Sequence, residues 1–310
     1  MIERCAIACI VALACLACGT SAPPVDARYR PTESVLEVAA TLRLHIDDDT
    51  YRRSPARDFT GKNIYRASFA RLENLEAIYA AKFRSGYLQD VIWFAMARSV
   101  ERITEYDLAS KLYAKVEVLD SELAQPAQTA RRICERLDKA TELDAASDAS
   151  PQEALDRYAA RMGQLDELLA EVRGTHFEHI VREERERTDR ARARWFGARR
   201  RLDPRLDTTA LQAHQDLVQN HPESKNRNRN LLELAVFYEE LARDYVYGCP
   251  AVALCFDSAT FDEYTFGASR IYESVAQQDG SVEKIEAARR LEALLAFILQ
   301  VYDDKLPTRS

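Results

Sequence analysis

The chain has 310 residues, a formal net charge of −7, and only nine Gly and ten Pro. The acidic balance excludes a general nucleic-acid binder. Ala, Leu, Glu and Arg dominate and no stretch alternates β-branched residues, which excludes most β architectures and predicts an all-α chain.

Residues 1–17 place Arg4 ahead of an apolar run from Cys5 to Ala17. The run is too short to span a bilayer, which takes about 20 residues, and fits the apolar part of a secretory signal. Leu16-Ala17-Cys18-Gly19 resembles a bacterial lipobox, with Cys15 where Leu is usual. The resemblance implies a lipoprotein lipidated at Cys18. Cys15 is the runner-up site, and an ordinary cleaved signal peptide is the alternative. Gly19-Thr20-Ser21-Ala22-Pro23-Pro24 favours Cys18, because it reads as a tether over residues 18–31. Gly19, rather than Asp, implies sorting to the periplasmic face of the outer membrane.

Val35, Leu36, Ala39, Leu42 and Ile46 predict a helix over Thr32–Ile46, ended by Asp47-Asp48-Asp49. Those acids lack the Gly and terminal Glu of a calcium loop and read as a solvated turn. After a connection at Ser54–Gly61, Leu72, Leu75, Ile78, Tyr79 and Phe83 stripe a helix over Ile64–Phe83, with Ser85-Gly86 as its stop.

Asp90–Ala124 holds two short amphipathic helices that meet at Thr104-Glu105. Trp93, Met96, Ala97 and Val100 mark the first; Tyr106, Ala109, Tyr113 and Val116 mark the second. With Asp120, these residues resemble the tetratricopeptide repeat, departing from it at Thr104, where Gly is usual, and at Ser121, where Pro is usual. The resemblance implies an α-solenoid of helical hairpins, each leaving an apolar face for the next.

Gln125-Pro126 reads as a break, followed by a helix over Gln128–Leu143 with Ala130, Ile133, Cys134 and Leu137 inward. Cys134 reads as a small core residue. Residues 144–151 (DAASDASP) read as a linker between an N-terminal region, 32–143, and a C-terminal region, 152–310. Gln152–Val172 is the next helix, ended by Gly174.

His176–Arg201 reads as a long charged helix with a thin seam of Phe177, Val181, Thr188, Ala191, Trp195 and Ala198. Its interleaved Arg and Glu predict a solvated surface with internal ion pairs. The other reading is a basic surface for an anionic partner. Arg199-Arg200-Arg201 is the part without acids near in sequence. His176, His179 and Glu183 sit at helical spacing, but the pattern is not H-E-x-x-H, and no metal is expected.

Ala210, His214 and Leu217 repeat the spacing of Ala109, Tyr113 and Val116. Asn220-His221-Pro222-Glu223-Ser224 resembles the turn common in periplasmic tetratricopeptide lipoproteins. Leu231, Leu234, Ala235 and Tyr238 repeat Trp93, Met96, Ala97 and Val100; Ala268, Tyr272 and Val275 repeat Ala109, Tyr113 and Val116. A second hairpin, Leu231–Asp279, therefore carries an insertion at Tyr245–Phe261. That insertion holds Cys249 and Cys255, a plausible disulfide in an oxidising compartment. Residues 125–207 are helical but read as lying outside the repeat pattern. Val282–Tyr302 reads as a capping helix, with Ile285, Ala288, Leu291, Leu294, Leu295 and Ile298 inward.

No P-loop, G-x-S-x-G, G-x-G-x-x-G or C-x-x-C is present, so neither catalysis nor a cofactor is expected. The expected function is a lipid-anchored scaffold or adaptor for envelope proteins. Arg98, Glu101, Arg102, Glu239 and Arg243 are its expected exposed partner-binding residues. The alternative is a cell-wall-binding module or lytic enzyme on a helical scaffold, which would need a buried Glu in a groove.

Overall fold

The structure is a computed structural model that describes residues 31–45, 62–83, 88–144 and 149–305. The described residues hold eleven α-helices and no strand. In chain order these are α1 Pro31–His45, α2 Lys62–Phe83, α3 Gln89–Arg102, α4 Tyr106–Glu117, α5 Ala124–Thr141 and α6 Pro151–Glu171. They continue as α7 Phe177–Arg199, α8 Asp207–Asn220, α9 Arg227–Gly248, α10 Ser258–Ala276 and α11 Glu283–Lys305. Residues 1–30, which hold Cys18 and the expected signal and nearly all of the expected tether, lie outside the described residues, as do the Asp47–Asp49 turn and the Ser85-Gly86 stop.

Local chemistry sets the ends of these helices. Ser150 and Glu153 form a capping box at the start of α6, with Pro151 in the first turn. Gly174 closes the turn after α6 at φ 76°, a backbone conformation open to Gly at little cost. Asp257 caps α10 by accepting from the backbone N–H groups of Ala259 and Thr260. The expected break at Gln125-Pro126 is absent: α5 begins at Ala124 and carries Pro126 in its first turn. The first N–H groups of a helix have no partner within it, so Pro is tolerated there.

Each helix packs on its successor, with additional contacts from α1 to α3 and from α9 to α11. In the α3–α4 hairpin Ala97 and Ala109 are fully buried, among Ile92, Met96, Val100, Tyr106, Leu112, Tyr113 and Val116. Burying each large apolar side chain stabilises the hairpin by roughly 1.5–3 kcal/mol. Trp93 is only half-buried. Its indole N–H donates to Glu76 of α2 at 2.7 Å, and Lys115 lies over its ring. A closer contact shapes the α9–α10 hairpin, where a Cβ on Gly267 would meet the Tyr238 ring at 3.1 Å.

Thr104 joins α3 to α4 at φ 72°. The left-handed region costs a β-branched residue about 1–2 kcal/mol, and Gly avoids most of that cost. Thr104→Gly is expected to raise stability by about 1 kcal/mol, read as a higher urea midpoint at unchanged slope.

Other expectations need correcting. Ile78 is exposed on α2, and Ile285 and Leu295 are exposed on α11; Leu294 is buried as expected, and Ala287 and Val301 are buried with it. The outer face of α11 therefore keeps Ile285, Leu295 and Leu299 in solvent. Leu165, Leu168 and Val172 of α6 and Phe177 and Ile180 of α7 share one apolar cluster with α1–α5.

The charged helix carries the expected internal ion pairs, but much of it is buried. Along α7, Glu184, Glu186, Thr188, Asp189, Ala193 and Phe196 are buried, while Ala198 of the expected seam is exposed. Nor does its Arg-rich end lack acids. Arg200 is buried and pairs with Asp244 at 2.7 Å and Asp207 at 3.0 Å, and Arg201 lies 3.5 Å from Glu240.

Between α9 and α10, Cys249 and Cys255 are joined in a disulfide, their Cα atoms 5.8 Å apart. The Tyr245 hydroxyl accepts from the Asp257 backbone N–H at 2.7 Å and fixes the base of this loop. Tyr247, Val252 and Leu254 are exposed. Cys134 is buried and free in α5.

Candidate functional site

A groove of about 810 Å³ lies between α1, α3, α5 and the turn into α7. Leu36 and Leu42 come from α1, Val91, Phe94 and Ala95 from α3, and Ala130 and Ile133 from α5. Arg43 and Arg98 are the charged residues in this lining, joined by His176. No Asp or Glu is among its lining residues.

A buried carboxylate lies beside this groove. Glu101, 0% exposed near the end of α3, accepts from the Tyr113 hydroxyl of α4 at 2.7 Å. His176 Nε2 lies 3.0 Å from it and Arg98 3.6 Å. Burial pushes the Glu101 carboxyl up, but His176, Arg98 and the Tyr113 hydrogen bond outweigh it and hold the group below the usual range. The same neighbourhood raises the Tyr113 phenol well above its ordinary value, through burial and then the Glu101 charge.

The expectation that Glu101, Arg102 and Glu239 are exposed is overturned; they are 0%, 2% and 7% exposed. Arg102 places its guanidinium over the Tyr65 ring, 5.4 Å from the centroid. Phenol donors from the neighbouring helices make the burial of Glu101 and Glu239 tolerable. Arg98 lines the groove, and Arg243 is exposed on α9, bonded to Glu239 and over the Phe297 ring at 4.5 Å. The five residues are thus divided between the two hairpins and form no single surface.

Glu239 copies Glu101. It accepts from the Tyr272 hydroxyl at 2.7 Å, with Arg243 and Arg290 nearby at 2.8 and 3.5 Å. Glu101 and Glu239 follow directly on Val100 and Tyr238, the last apolar positions of the two matching patterns. That adjacency was the available signal for a buried pair. It was missed because acids on an amphipathic helix ordinarily face water.

The acids of α7 make longer links. Glu184 accepts from the Tyr106 hydroxyl of α4 and from Arg161 of α6 at 3.3 Å, with Arg187 alongside. Glu186 accepts from Ser224 at 2.7 Å, Asn230 at 2.9 Å and Asn226 at 3.2 Å. Asp189 meets His221 at 3.0 Å and accepts from Asn220 at 3.1 Å. Burial opposes ionisation of Glu186 and Asp189, but these hydrogen bonds and the arginines beside them hold both carboxyls low. The Asn220–Ser224 turn is therefore fastened to α7 through its Asn, His and Ser side chains. His176 and His179 do not converge: His176 turns to Glu101, while His179 is exposed.

No protein-family model matches the chain, and no curated protein matches it either.

Proposed function

We propose that the protein is a lipid-anchored periplasmic scaffold of the outer membrane, an α-solenoid of tetratricopeptide-like hairpins without catalytic activity. It takes a segment of an envelope protein into the groove between α1, α3 and α5. The observation that carries this reading is the lining of that groove, whose walls are apolar and whose charged members, Arg43 and Arg98, are both basic. Such a channel suits an apolar segment bearing an acidic residue. The lytic alternative is less well supported. Glu101 is a buried Glu beside a groove, but a general acid needs a raised carboxyl and this one is held low.

Thr129 is exposed and lines the groove, so it accepts a photo-crosslinking residue without disturbing the core. In envelope extracts, crosslinking from Thr129 is expected to capture one dominant protein that a crosslinker at the exposed Arg205 does not. Leu36→Asp is expected to abolish that product. No protein product, together with retention of the chain on peptidoglycan, would replace the scaffold reading with the cell-wall one.

A further inference from the structure

Three hairpins share one internal grammar. Ala97, Ala193 and Ala235 are fully buried on α3, α7 and α9; Ala109, Ala210 and Ala268 are fully buried on α4, α8 and α10. Val116, Leu217 and Val275 are likewise fully buried, each seven residues beyond the second Ala. Residues 125–207 thus do not lie wholly outside the pattern, because α7 supplies the first helix of the middle hairpin. Four residues after each Ala stand the partners Glu101 with Tyr113, Gly197 with His214, and Glu239 with Tyr272.

The outer two hairpins complete this position with a phenol donating to a carboxylate, at 2.7 Å in both. The middle hairpin retains a ring nitrogen and loses the carboxylate. A Cβ built on Gly197 would sit 3.6 Å from His214 Nε2 and 3.7 Å from the Phe237 ring, ordinary contact distances. Gly197 also has no positive φ. Neither crowding nor backbone conformation therefore requires Gly there. Gly197 and His214 both line an open cleft of about 450 Å³. His214 is 7% exposed, and its Nδ1 has no hydrogen-bond partner. Nε2 faces the Gly197 side, and in the tautomer that carries its proton there the ring presents an N–H to the cleft.

We propose that this cleft binds a carboxylate supplied from outside the chain, seated against His214 over Gly197 where Glu101 and Glu239 stand in the other hairpins. Arg194, Arg201 and Arg290 border the cleft, each beside an acid: Glu233 at 3.0 Å, Glu240 at 3.5 Å and Glu286 at 2.7 Å. These pairs leave little net charge, so discrimination falls to the His214 donor. The proposal does not depend on the α1–α3–α5 groove, and either can fail alone.

The test follows the His214 ring by NMR in the folded protein at pH 7, where acetate is ionised and the imidazole is neutral. Acetate is expected to shift the ring signals saturably. Acetamide, which brings no charge to the hydrogen bond, is expected to bind about tenfold more weakly. Gly197→Glu supplies the carboxylate in cis, so its His214 signals should be displaced without acetate and should not respond to it. Gly197→Ala, whose methyl group fits, controls for folding. A response to hexaglutamate at matched carboxylate concentration, exceeding that to acetate, assigns the group to an acidic side chain of a partner; an equal response assigns it to a free small acid. If the wild-type His214 signal responds to neither, the proposal is overturned, whatever the variants do.

Discussion

Glu184→Ala is expected to destabilise the protein by about 3–5 kcal/mol, the range for removing one partner of a buried ionic cluster. Glu184 is 1% exposed and receives the Tyr106 hydroxyl, Arg161 and Arg187. Its removal strands a buried phenol on α4 and weakens the neutralisation of Arg161, itself 4% exposed. Asp144 continues to hold Arg161 from the more exposed side, which places the effect toward the lower end of the range. Glu184→Gln keeps an acceptor for Tyr106 and should cost less. The triple replacement Glu184→Leu, Tyr106→Phe, Arg161→Leu removes all three polar groups and should recover most of the loss. Urea unfolding followed by helical circular dichroism measures each step. A triple variant no more stable than Glu184→Ala would show that apolar side chains cannot fill this position.

Lowering pH from 6.5 to about 4 is expected to remove about 3 kcal/mol of stability through His214 alone. Burial, opposed by the Glu233 charge and reinforced by Arg194, pushes the imidazole from 6.5 down to about 4. The unfolded chain therefore binds a proton across this window that the folded chain refuses. Stability is complete above 6.5 and declines until the folded imidazole itself titrates. His214→Phe keeps a ring against Phe237, whose centroid lies 4.6 Å from that of His214, and should flatten this segment. Glu101, Glu186 and Asp189 act lower. Their folded carboxyls are depressed, so their stabilisation is present above the ordinary carboxylate range and is lost below it. Wild type should show two falling segments and His214→Phe only the lower one.

The helices were legible because apolar side chains recur at three- and four-residue steps from Val35 to Ile298. The α3–α4 hairpin could be placed almost to the residue, since Ala97, Ala109, Tyr113 and Val116 define both faces. What hydropathy could not supply was the fate of the acids. Glu184 finds its phenol 78 residues earlier, and Glu186 finds its serine 38 residues later. Neither partner leaves a local trace, so α7 read as a helix facing water. Pro126 misled for a related reason: its effect depends on which turn of the helix it occupies. The site at Gly197 was hidden because the matching pattern had been followed only in α8. Ala193 and Gly197 become meaningful once α7 is seen to pair with α8.

Arrays of helical hairpins lengthen and shorten in evolution by copying or deleting a unit, which works when neighbouring units present equivalent faces. The acids of α7 deny this chain that freedom. Glu184 requires Tyr106 and Arg161 upstream, while Glu186 and Asp189 require the turn and helix downstream. A duplicated α9–α10 hairpin inserted before α7 would meet it with the wrong donors and leave a charge enclosed. The order of hairpins is consequently locked around α7. Lineages descended from such a chain should vary at the two ends and in the disulfide loop, while keeping α4 through α9 at constant register.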